Sequence, residues 1–322
     1  MNTSEIERAV AILRRGGLVA FPTETVYGLG ADAGNDDAIK NLYAAKGRPG
    51  SHPVIVHLGD ASQLSQWASE VTPLARKLAQ KFWPGPLTLI LRRQPRVSAA
   101  LTGGQDTIGL RVPAHPVAQA LLKAFGSGIA APSANRFGHV SATTAGHVRS
   151  EFGADVDLVL DGGQSEVGIE STIIDATGAQ PVLLRPGRIT AQEIEAAAGT
   201  PLAAPDAKTP RAPGTLAAHY APRTPLKVME GDLLLELAAS LTRQGQRIAV
   251  LARGARRPLL PGLAWVAAPQ DARAYAHDLY ANLRALDAEN CDVLLVESPP
   301  RAAEWAAVND RLDRAAAGSL RA

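Results

Sequence analysis

Short apolar segments alternate along this chain with longer segments that have helical periodicity. Predicted strands such as Leu87–Arg92 and Val182–Arg185 are separated by predicted helices such as Pro73–Phe82 and Pro116–Phe125. This alternation is typical of α/β proteins, in which helices cover the faces of a sheet. The sequence therefore predicts an α/β fold.

The alternation stops between Ala203 and Pro225, where five prolines occur and apolar periodicity is nearly lost. Such a segment is typical of a linker stiffened by proline. Strand and helix patterns resume at Leu226–Met229. A chain of 322 residues is long enough for two cores. We therefore predict a first domain over residues 1–202, a linker or lid over 203–225, and a smaller α/β domain over 226–322.

Two local signals predict where helices begin and end. Ser4 is expected to cap a helix over residues 5–15, with Glu7 completing a capping box and Gly16 ending the helix. A second helix is predicted over Ala142–Phe152. This second helix is predicted from apolar residues spaced at helical intervals.

Composition limits the class of protein and its partners. Hydrophobic residues make up 46% and charged residues 20%, as in soluble globular proteins, and the formal net charge is only +2. Such a charge gives no argument for a nucleic-acid or membrane partner. The single cysteine, Cys291, excludes an internal disulfide. No signal pattern or membrane-length apolar run is present, so we expect a cytoplasmic protein with no membrane partner.

Six motifs join a glycine or proline to a side chain that can donate hydrogen bonds. They are Phe21–Gly30, Lys46–Pro49, Thr107–Arg111, Pro132–Asn135, Gly168–Thr172 and Arg185–Gly187. They lie at the ends of predicted strands, where open α/β sheets bind ligands. The pattern predicts a scaffold that presents cations and hydroxyls to an anion.

Lys46 and Arg48 flank a glycine and precede a proline, so the segment is extended or turning. Two cations placed in this way can hold different oxygens of a polyphosphate, the lysine as a point charge and the arginine as a planar fork. A solvated charged loop is the alternative interpretation.

Arg111 and Arg185 each end an apolar strand, where an unpaired guanidinium would be costly to bury. Each should therefore meet a carboxylate or a phosphate, and an internal salt bridge stays open as the alternative. Two arginines in such positions favour an anionic ligand more than either does alone.

The remaining polar residues of the motifs are ambiguous when taken singly. Ser133 and Asn135 are common in turns for backbone reasons, and His57 is either a core histidine or a ligand. Glu24 and Glu170 could bind a metal or pair with Arg48 or Arg111. We favour pairing, because no cluster has the spacing of metal ligands.

Several common motifs are excluded. Gly28-x-Gly30-x-x-Ala33 matches a dinucleotide fingerprint, but the region that should supply an acidic residue for the ribose is Lys46–His52, which is basic. The chain has no phosphate-binding loop of the GxxxxGK type, no GxSxG and no HExxH. ATPase, hydrolase and zinc-protease interpretations of these types therefore fail.

Together these motifs resemble the YrdC-type family in its two-domain form. The resemblance covers about residues 5–200 through PTETVYGLG, KGRP, WPGPLT, TIGLRVP, PSAN, GIEST and LRPG, and continues more thinly beyond. It implies a YrdC-like twisted open mixed sheet flanked by helices, with a smaller Rossmann-like α/β domain at the carboxyl end. It also implies synthesis of threonylcarbamoyl-AMP and pyrophosphate from L-threonine, bicarbonate and ATP, the first step toward N6-threonylcarbamoyladenosine in tRNA.

The resemblance implies roles for residues at matching motif positions. The catalytic signature corresponds to Lys46, Arg48, Ser133 and Asn135. The threonine site corresponds to Thr25, His57, Arg111, Ala131 and Ser171. The nucleotide site corresponds to Arg48, His52, Thr107, Ser133, Ser141, Arg185 and Tyr220. Two positions depart from the family pattern: His52 replaces the usual asparagine, and Leu216-Ala217-Ala218 replaces Lys-Tyr-Arg in the linker.

The same resemblance implies Mg²⁺ bound with ATP, no protein-only metal site, and downstream tRNA threonylcarbamoyl-transfer proteins as partners. Weak binding of tRNA or other RNA is left open. A double-stranded RNA-binding module of the YrdC type is the alternative function. A carbamoyl-transfer enzyme of hydrogenase maturation would need zinc-finger cysteines, which one cysteine cannot supply.

Overall fold

The computed structural model describes residues 3–319, which form two compact units. Within this range the first unit comprises residues 3–137 and 142–215, and the second comprises residues 138–141 and 216–319. The segment predicted as a linker is thus divided, since residues 203–215 group with the first unit and 216–225 with the second.

The first unit contains a nine-stranded mixed sheet, as the predicted fold class requires. Its strands are β1 (Val19–Phe21), β2 (Gly28–Asp32), β3 (Ile55–His57), β4 (Leu87–Arg92), β5 (Thr107–Arg111), β6 (Ile129–Ala130), β7 (Leu158–Val159), β8 (Thr172–Asp175) and β9 (Val182–Arg185). Their order is β7-β1-β2-β6-β3-β5-β4-β8-β9. Parallel and antiparallel pairs both occur, for example β3 with β5 and β4 with β5 respectively.

Helices cover both faces of this sheet. They are α1 (Thr3–Arg14), α2 (Asp36–Lys46), α3 (Leu64–Trp67), α4 (Pro73–Phe82), α5 (Ala99–Thr102), α6 (Pro116–Phe125), α7 (Ala145–Phe152) and α8 (Ala191–Ala198). The larger core packs α2, α4 and α7 against one face, with Leu42, Leu78 and Leu110 among its buried side chains. A smaller core packs α1 and α6 against the other face, around Phe21 and Leu121.

Strand β2 lies inside the first motif and was not predicted as a strand. Its two glycines have low strand propensity, which hid it from the sequence pattern. Gly30 is needed there because a Cβ atom at this position would lie 2.8 Å from the Phe21 ring and 2.9 Å from Ile129. Close packing of β1, β2 and β6 therefore explains the glycine.

Two helix boundaries differ from the predicted ones. The first helix begins at Thr3, so Ser4 lies within its first turn, and Gly16 adopts a φ of +85° just beyond its end, as predicted. The helix predicted from Ala142 begins at Ala145, because the Thr144 side chain accepts the hydrogen bond of the His147 N–H and caps it.

The second unit has a four-stranded parallel sheet, which agrees with the predicted Rossmann-like domain. Its strands are β10 (Leu226–Met229), β11 (Ile248–Ala252), β12 (Ala264–Ala267) and β13 (Val293–Glu297), in the order β10-β13-β11-β12. Its helices are α9 (Gly231–Arg243), α10 (Ala272–Asp287) and α11 (Ala306–Ser319). Within residues 3–319, no helix is long and apolar enough to cross a membrane.

Candidate active site

Side chains from five adjacent strands form one row across the first sheet. His57 on β3 is the register partner of Arg111 on β5, and the pairing of β5 with β4 places Thr88 next to Arg111. Thr88 is in turn the partner of Ile173 on β8, which is the partner of Arg185 on β9. Register partners lie on the same face of a sheet, so two predicted arginines and the histidine share one surface.

Arg111 is buried and contacts three separate segments. Its Nε donates to the Gly85 carbonyl at 3.2 Å, and its Nη1 donates to Thr25 Oγ1 at 2.8 Å. Its Nη2 lies 2.7 Å from Glu24 Oε1 in an ion pair whose two side chains are 4% and 6% exposed. The carboxylate belongs to the chain itself, so the structure shows the internal salt bridge that was the alternative interpretation for Arg111.

Glu24 joins the first motif to two others. Its Oε2 accepts a hydrogen bond from the Ala114 N–H at 3.0 Å, just after the Arg111 strand. Its carbonyl accepts from the Val167 N–H at 2.7 Å, which leads into the Gly168–Thr172 motif. Of the two arginine partners considered for Glu24, the structure pairs it with Arg111. Through its carboxylate and its backbone carbonyl, Glu24 thus joins its own segment to those of Ala114 and Val167.

His57 is fully enclosed at the end of β3. Its ring meets the Phe21 ring edge-on, with centroids 6.1 Å apart. Burial, followed by the nearby Arg111 charge, lowers the pKa of His57 to about 3. The imidazole is therefore neutral at pH 7, and it can exchange hydrogen bonds without adding charge to the row.

Ser171 links the centre of the row to its far end. Its hydroxyl lies 2.8 Å from Thr88 Oγ1, and Arg185 Nη2 donates to the same hydroxyl at 3.2 Å. Arg185 also donates to the Ser171 carbonyl from Nε and Nη2, at 3.1 and 2.9 Å, and to the Pro213 carbonyl from Nη1 at 3.0 Å. Ser171, predicted for the threonine site, and Arg185, predicted for the nucleotide site, are thus in direct contact.

Lys46 ends α2, which Gly47 terminates with a φ of +62°. Its Nζ donates to the Ser133 carbonyl at 2.6 Å and also to the Asn135 carbonyl. Burial, followed by the Arg48 charge, lowers the pKa of Lys46 well below its usual value. Since an ammonium group has three N–H donors, these contacts hold the Pro132–Asn135 motif and leave one donor for a ligand.

Arg48 and His52 both contact the ring of Phe137, which was not among the predicted site residues. The Arg48 guanidinium lies 5.8 Å from the centroid of Phe137, and the His52 ring meets the same phenyl edge-on at 5.3 Å. Arg48 Nη2 also donates to the Pro53 carbonyl at 2.7 Å. Burial, followed by the Arg48 charge, lowers the pKa of His52.

The Pro132–Asn135 motif is fixed between the first motif and β3. The Ala134 N–H donates to the Tyr27 carbonyl at 2.7 Å, and Ser133 forms a β-bridge with Gly28. The Ala131 N–H donates to the Ile55 carbonyl at 3.0 Å, so the backbone at Ala131 lies directly beside the strand of His57. Asn135 Nδ2 donates to the next residue's carbonyl at 2.7 Å.

Of the three remaining predicted residues, one begins β5 and two belong to the second unit. Thr107 begins β5, four residues before Arg111 and so on the order of 13 Å away along the strand. Ser141 and Tyr220 belong to the second unit. Their assignment to the nucleotide stays a prediction, as do the roles of the other site residues.

The arrangement is suited to binding anions. Among the described residues, no group of three or more His, Cys, Asp or Glu side chains could hold a metal ion. The carboxylate of Glu24 is already committed to Arg111 and Ala114. Charge on a bound ligand would therefore be balanced by lysine, arginine and backbone N–H groups.

Comparison with known families agrees with this geometry. Residues 11–187 match the Sua5/YciO/YrdC model, described as telomere recombination. The chain belongs to the Sua5/YciO/YrdC family. Residues 189–317 match a further model, described as the C-terminal domain of threonylcarbamoyl-AMP synthase. The predicted family is thus confirmed for both domains.

Full-length members of the Sua5/YciO/YrdC family are similar over nearly the whole chain. A threonylcarbamoyl-AMP synthase of Pyrococcus abyssi is 39% identical over 97% of this chain and 94% of its own. One of Bacillus subtilis is 39% identical over 99% of this chain and 95% of its own. The crystal structure of P. abyssi Sua5 complexed with L-threonine is 37% identical, covers 99% of this chain and 96% of that one, and has a TM-score of 0.91.

Proposed function

We propose that this chain is an L-threonylcarbamoyladenylate synthase, a nucleotidyltransferase that makes threonylcarbamoyl-AMP and pyrophosphate from L-threonine, bicarbonate or CO₂, and ATP. Relatives that are 39% identical over nearly the full chain carry that name. The observation that carries the proposal is the row in which His57, Arg111, Thr88 and Arg185 lie side by side. This row provides neighbouring binding sites for an amino acid and for an anion.

The amino acid is assigned to the end of the row at His57 and Arg111. Because Arg111 is paired with Glu24, and because His57 is neutral, this end has no net charge from these three groups. A free amino acid is also neutral overall, with one carboxylate and one ammonium group. The Arg111 guanidinium is the group suited to the carboxylate, while Thr25, Ser171 and the Ala131 backbone supply neutral partners.

The nucleotide is assigned to Arg185, at the far end of the row, and to two cations that are not part of the row. Lys46 and Arg48 come from the segment after α2, and Arg185 comes from β9. Ser133 is held by Lys46 through its carbonyl, so its hydroxyl has a fixed place beside them. These groups can neutralise phosphate charge in the transition state without a protein nucleophile.

The reaction balances with these groups alone. The threonine ammonium group first gives up one proton to solvent, and the resulting amine nitrogen bonds to the carbon of CO₂ while one C=O π bond becomes a C–O⁻ group. A second proton then leaves the nitrogen for solvent, giving a carbamate. A carbamate oxygen then bonds to the α-phosphorus of ATP, and the bond from that phosphorus to the bridging oxygen breaks. Pyrophosphate leaves with the electron pair, so positioning of two anions and stabilisation of the leaving group account for catalysis.

We further propose that Mg²⁺ arrives bound to the phosphates of ATP. The row offers few ligands of its own, since the Glu24 carboxylate is engaged with Arg111 and the Ala114 N–H. Magnesium commonly binds through substrate phosphates and a few protein oxygens. The protein's own residues then orient the phosphates and exclude water.

The product is a mixed anhydride, which an acceptor must take up before water does. We expect tRNA threonylcarbamoyl-transfer proteins downstream, and the proposed reaction would place the enzyme in the cytoplasm with them. A double-stranded RNA-binding module is not favoured, because Arg111 and Arg185 are each 3% exposed and bonded within their own chain. Binding along an RNA backbone needs exposed cations.

Pyrophosphate release tests the proposal. With ATP, threonine and bicarbonate together the protein should release pyrophosphate steadily, and omission of threonine or bicarbonate should reduce release to background. Equal release without threonine would contradict the proposed function. Serine in place of threonine measures how far the amino-acid end selects its substrate.

A further inference from the structure

Two predicted nucleotide residues, Ser141 and Tyr220, are far apart in sequence but belong to the same unit. The Ala221 N–H donates to the Gly138 carbonyl at 2.8 Å, and Ala221 forms a β-bridge with His139. The short segment 138–141 and the segment that carries Tyr220 are therefore neighbours, joined by their backbones.

Arg284 on α10 holds the first of these segments. Its Nε donates to the Ser141 carbonyl at 3.2 Å, and its Nη2 donates to the Val140 carbonyl. The planar guanidinium thus engages two consecutive carbonyls at once, each from a different nitrogen of its rigid fork. The backbone position of Ser141 is set by this contact.

Tyr280, one helical turn before Arg284, contacts the second segment. Its ring stacks on Tyr220 with centroids 5.8 Å apart and an interplanar angle of 28°. The Tyr220 ring also contacts Arg311 of α11, whose guanidinium carbon lies 5.2 Å from the ring centroid. Residues four apart share one face of a helix, so α10 contacts both segments from one surface.

Tyr220 is held in an uncommon conformation. Its φ of +62° lies in the left-handed region, which is unfavourable for a residue that has a side chain. Its ring is 1% exposed. Contacts with Tyr280 and Arg311 stabilise a conformation that the isolated segment would seldom adopt, so the helices determine where this side chain lies.

We infer that the face of α10 formed by Tyr280 and Arg284 is a positioning surface for the ATP step, in which Arg284 sets Ser141 and Tyr280 sets Tyr220. This inference rests on the proposed function, because it takes Ser141 and Tyr220 as nucleotide residues. It gives the second domain a definite role, namely to hold two separate segments in the geometry that ATP requires. Arg284 and Tyr280 act through these residues and are positioning residues.

Steady-state kinetics of Arg284→Ala test the inference, with Arg273→Ala as the matched control. Arg273 is an exposed arginine on the same helix. Arg284→Ala should raise the KM for ATP about tenfold, as expected for loss of a charge-assisted hydrogen bond, while the Kd for threonine stays within about twofold. Arg273→Ala should match the wild type in both constants.

Arg284→Lys separates positioning from folding. Lysine keeps the charge but lacks the rigid fork of two donating nitrogens, so it should restore part of the ATP affinity. Tyr280→Ala should likewise raise the KM for ATP without weakening threonine binding. If Arg284→Ala and Arg284→Lys leave the KM for ATP unchanged, or if threonine and ATP affinity fall together with the melting temperature, the inference is overturned.

The wild-type reaction distinguishes failure of this inference from failure of the proposed function. If the wild type releases pyrophosphate only with threonine and bicarbonate but the α10 variants behave like the control, the inference alone is wrong. If the wild type lacks that dependence, the proposed function is wrong and the inference fails with it.

Discussion

Glu24 and Arg111 form a buried ion pair in which Oε1 and Nη2 are 2.7 Å apart. The pair cancels the charge of an arginine that ends a central strand beside a neutral histidine. A polyphosphate gains little binding free energy from a site without net charge. An amino acid, in contrast, can form hydrogen bonds with the separate donors and acceptors of this site. The ion pair thereby gives a physical reason for the division of the row between amino acid and nucleotide.

Replacing Glu24 by glutamine should destabilise the protein. The amide keeps the shape of the side chain but leaves the Arg111 charge buried without a counter-charge, which costs about 3–5 kcal/mol. Urea denaturation measures this change. In a double variant, Glu24→Gln with Arg111→Met, the loss in the free energy of unfolding should be clearly smaller than the sum of the losses in the two single variants. Additive losses would argue against a coupled pair.

Arg111→Ala should weaken threonine binding far more than ATP binding. The guanidinium is the expected partner of the substrate carboxylate, and loss of such a contact costs about 2–3 kcal/mol, or roughly a hundredfold in Kd. Calorimetric titration of each ligand separately measures the two effects. An equal loss for threonine and ATP would show that the site is not divided in this way.

His57 should make stability depend on pH. Its pKa falls from 6.5 to about 3 on folding, so the unfolded chain binds more protons between these values. The stabilisation is complete above pH 6.5 and is lost as the pH falls toward 3, with a slope of up to about 1.4 kcal/mol per pH unit. His57→Gln should remove this part of the slope in denaturant titrations at pH 5 and 7; an unchanged slope would mean that the ring is not buried neutral.

Gly187, in the Arg185–Gly187 motif, should not tolerate a side chain. A Cβ atom there would lie 2.4 Å from the Thr172 nitrogen and 2.7 Å from the Ser171 carbonyl carbon, so backbone at the site must move. Gly187→Ala should lower the melting temperature by several degrees and the free energy of unfolding by about 1–3 kcal/mol. Gly178→Ala is the control, since nothing lies within 4 Å of that Cβ position; equal effects in both variants would refute the explanation.

Elements with strong local signals could be predicted to the residue. Helix α4 spans Pro73–Phe82 as expected, because Thr72 caps it and a proline occupies its first position. Strands β4 and β9 also have their predicted bounds, since each is a continuous apolar run that ends at an arginine. In these segments the local chemistry and the tertiary fold favour the same structure.

The contacts within the site could be predicted only in part, because they depend on strand order. Sequence spacing left Glu24 with two possible arginine partners, and only the tertiary fold brings Arg111 to it. No local signal indicated that Phe137 would lie against both Arg48 and His52. Such pairs join distant segments, which periodicity does not describe.

The most direct measurement of the central claim is the mass of the product formed with carbon-13 bicarbonate. The account predicts one compound that contains AMP, threonine and a single labelled carbon, together with an equal amount of pyrophosphate. A threonine adenylate without the label, or no adenylate at all, would contradict it.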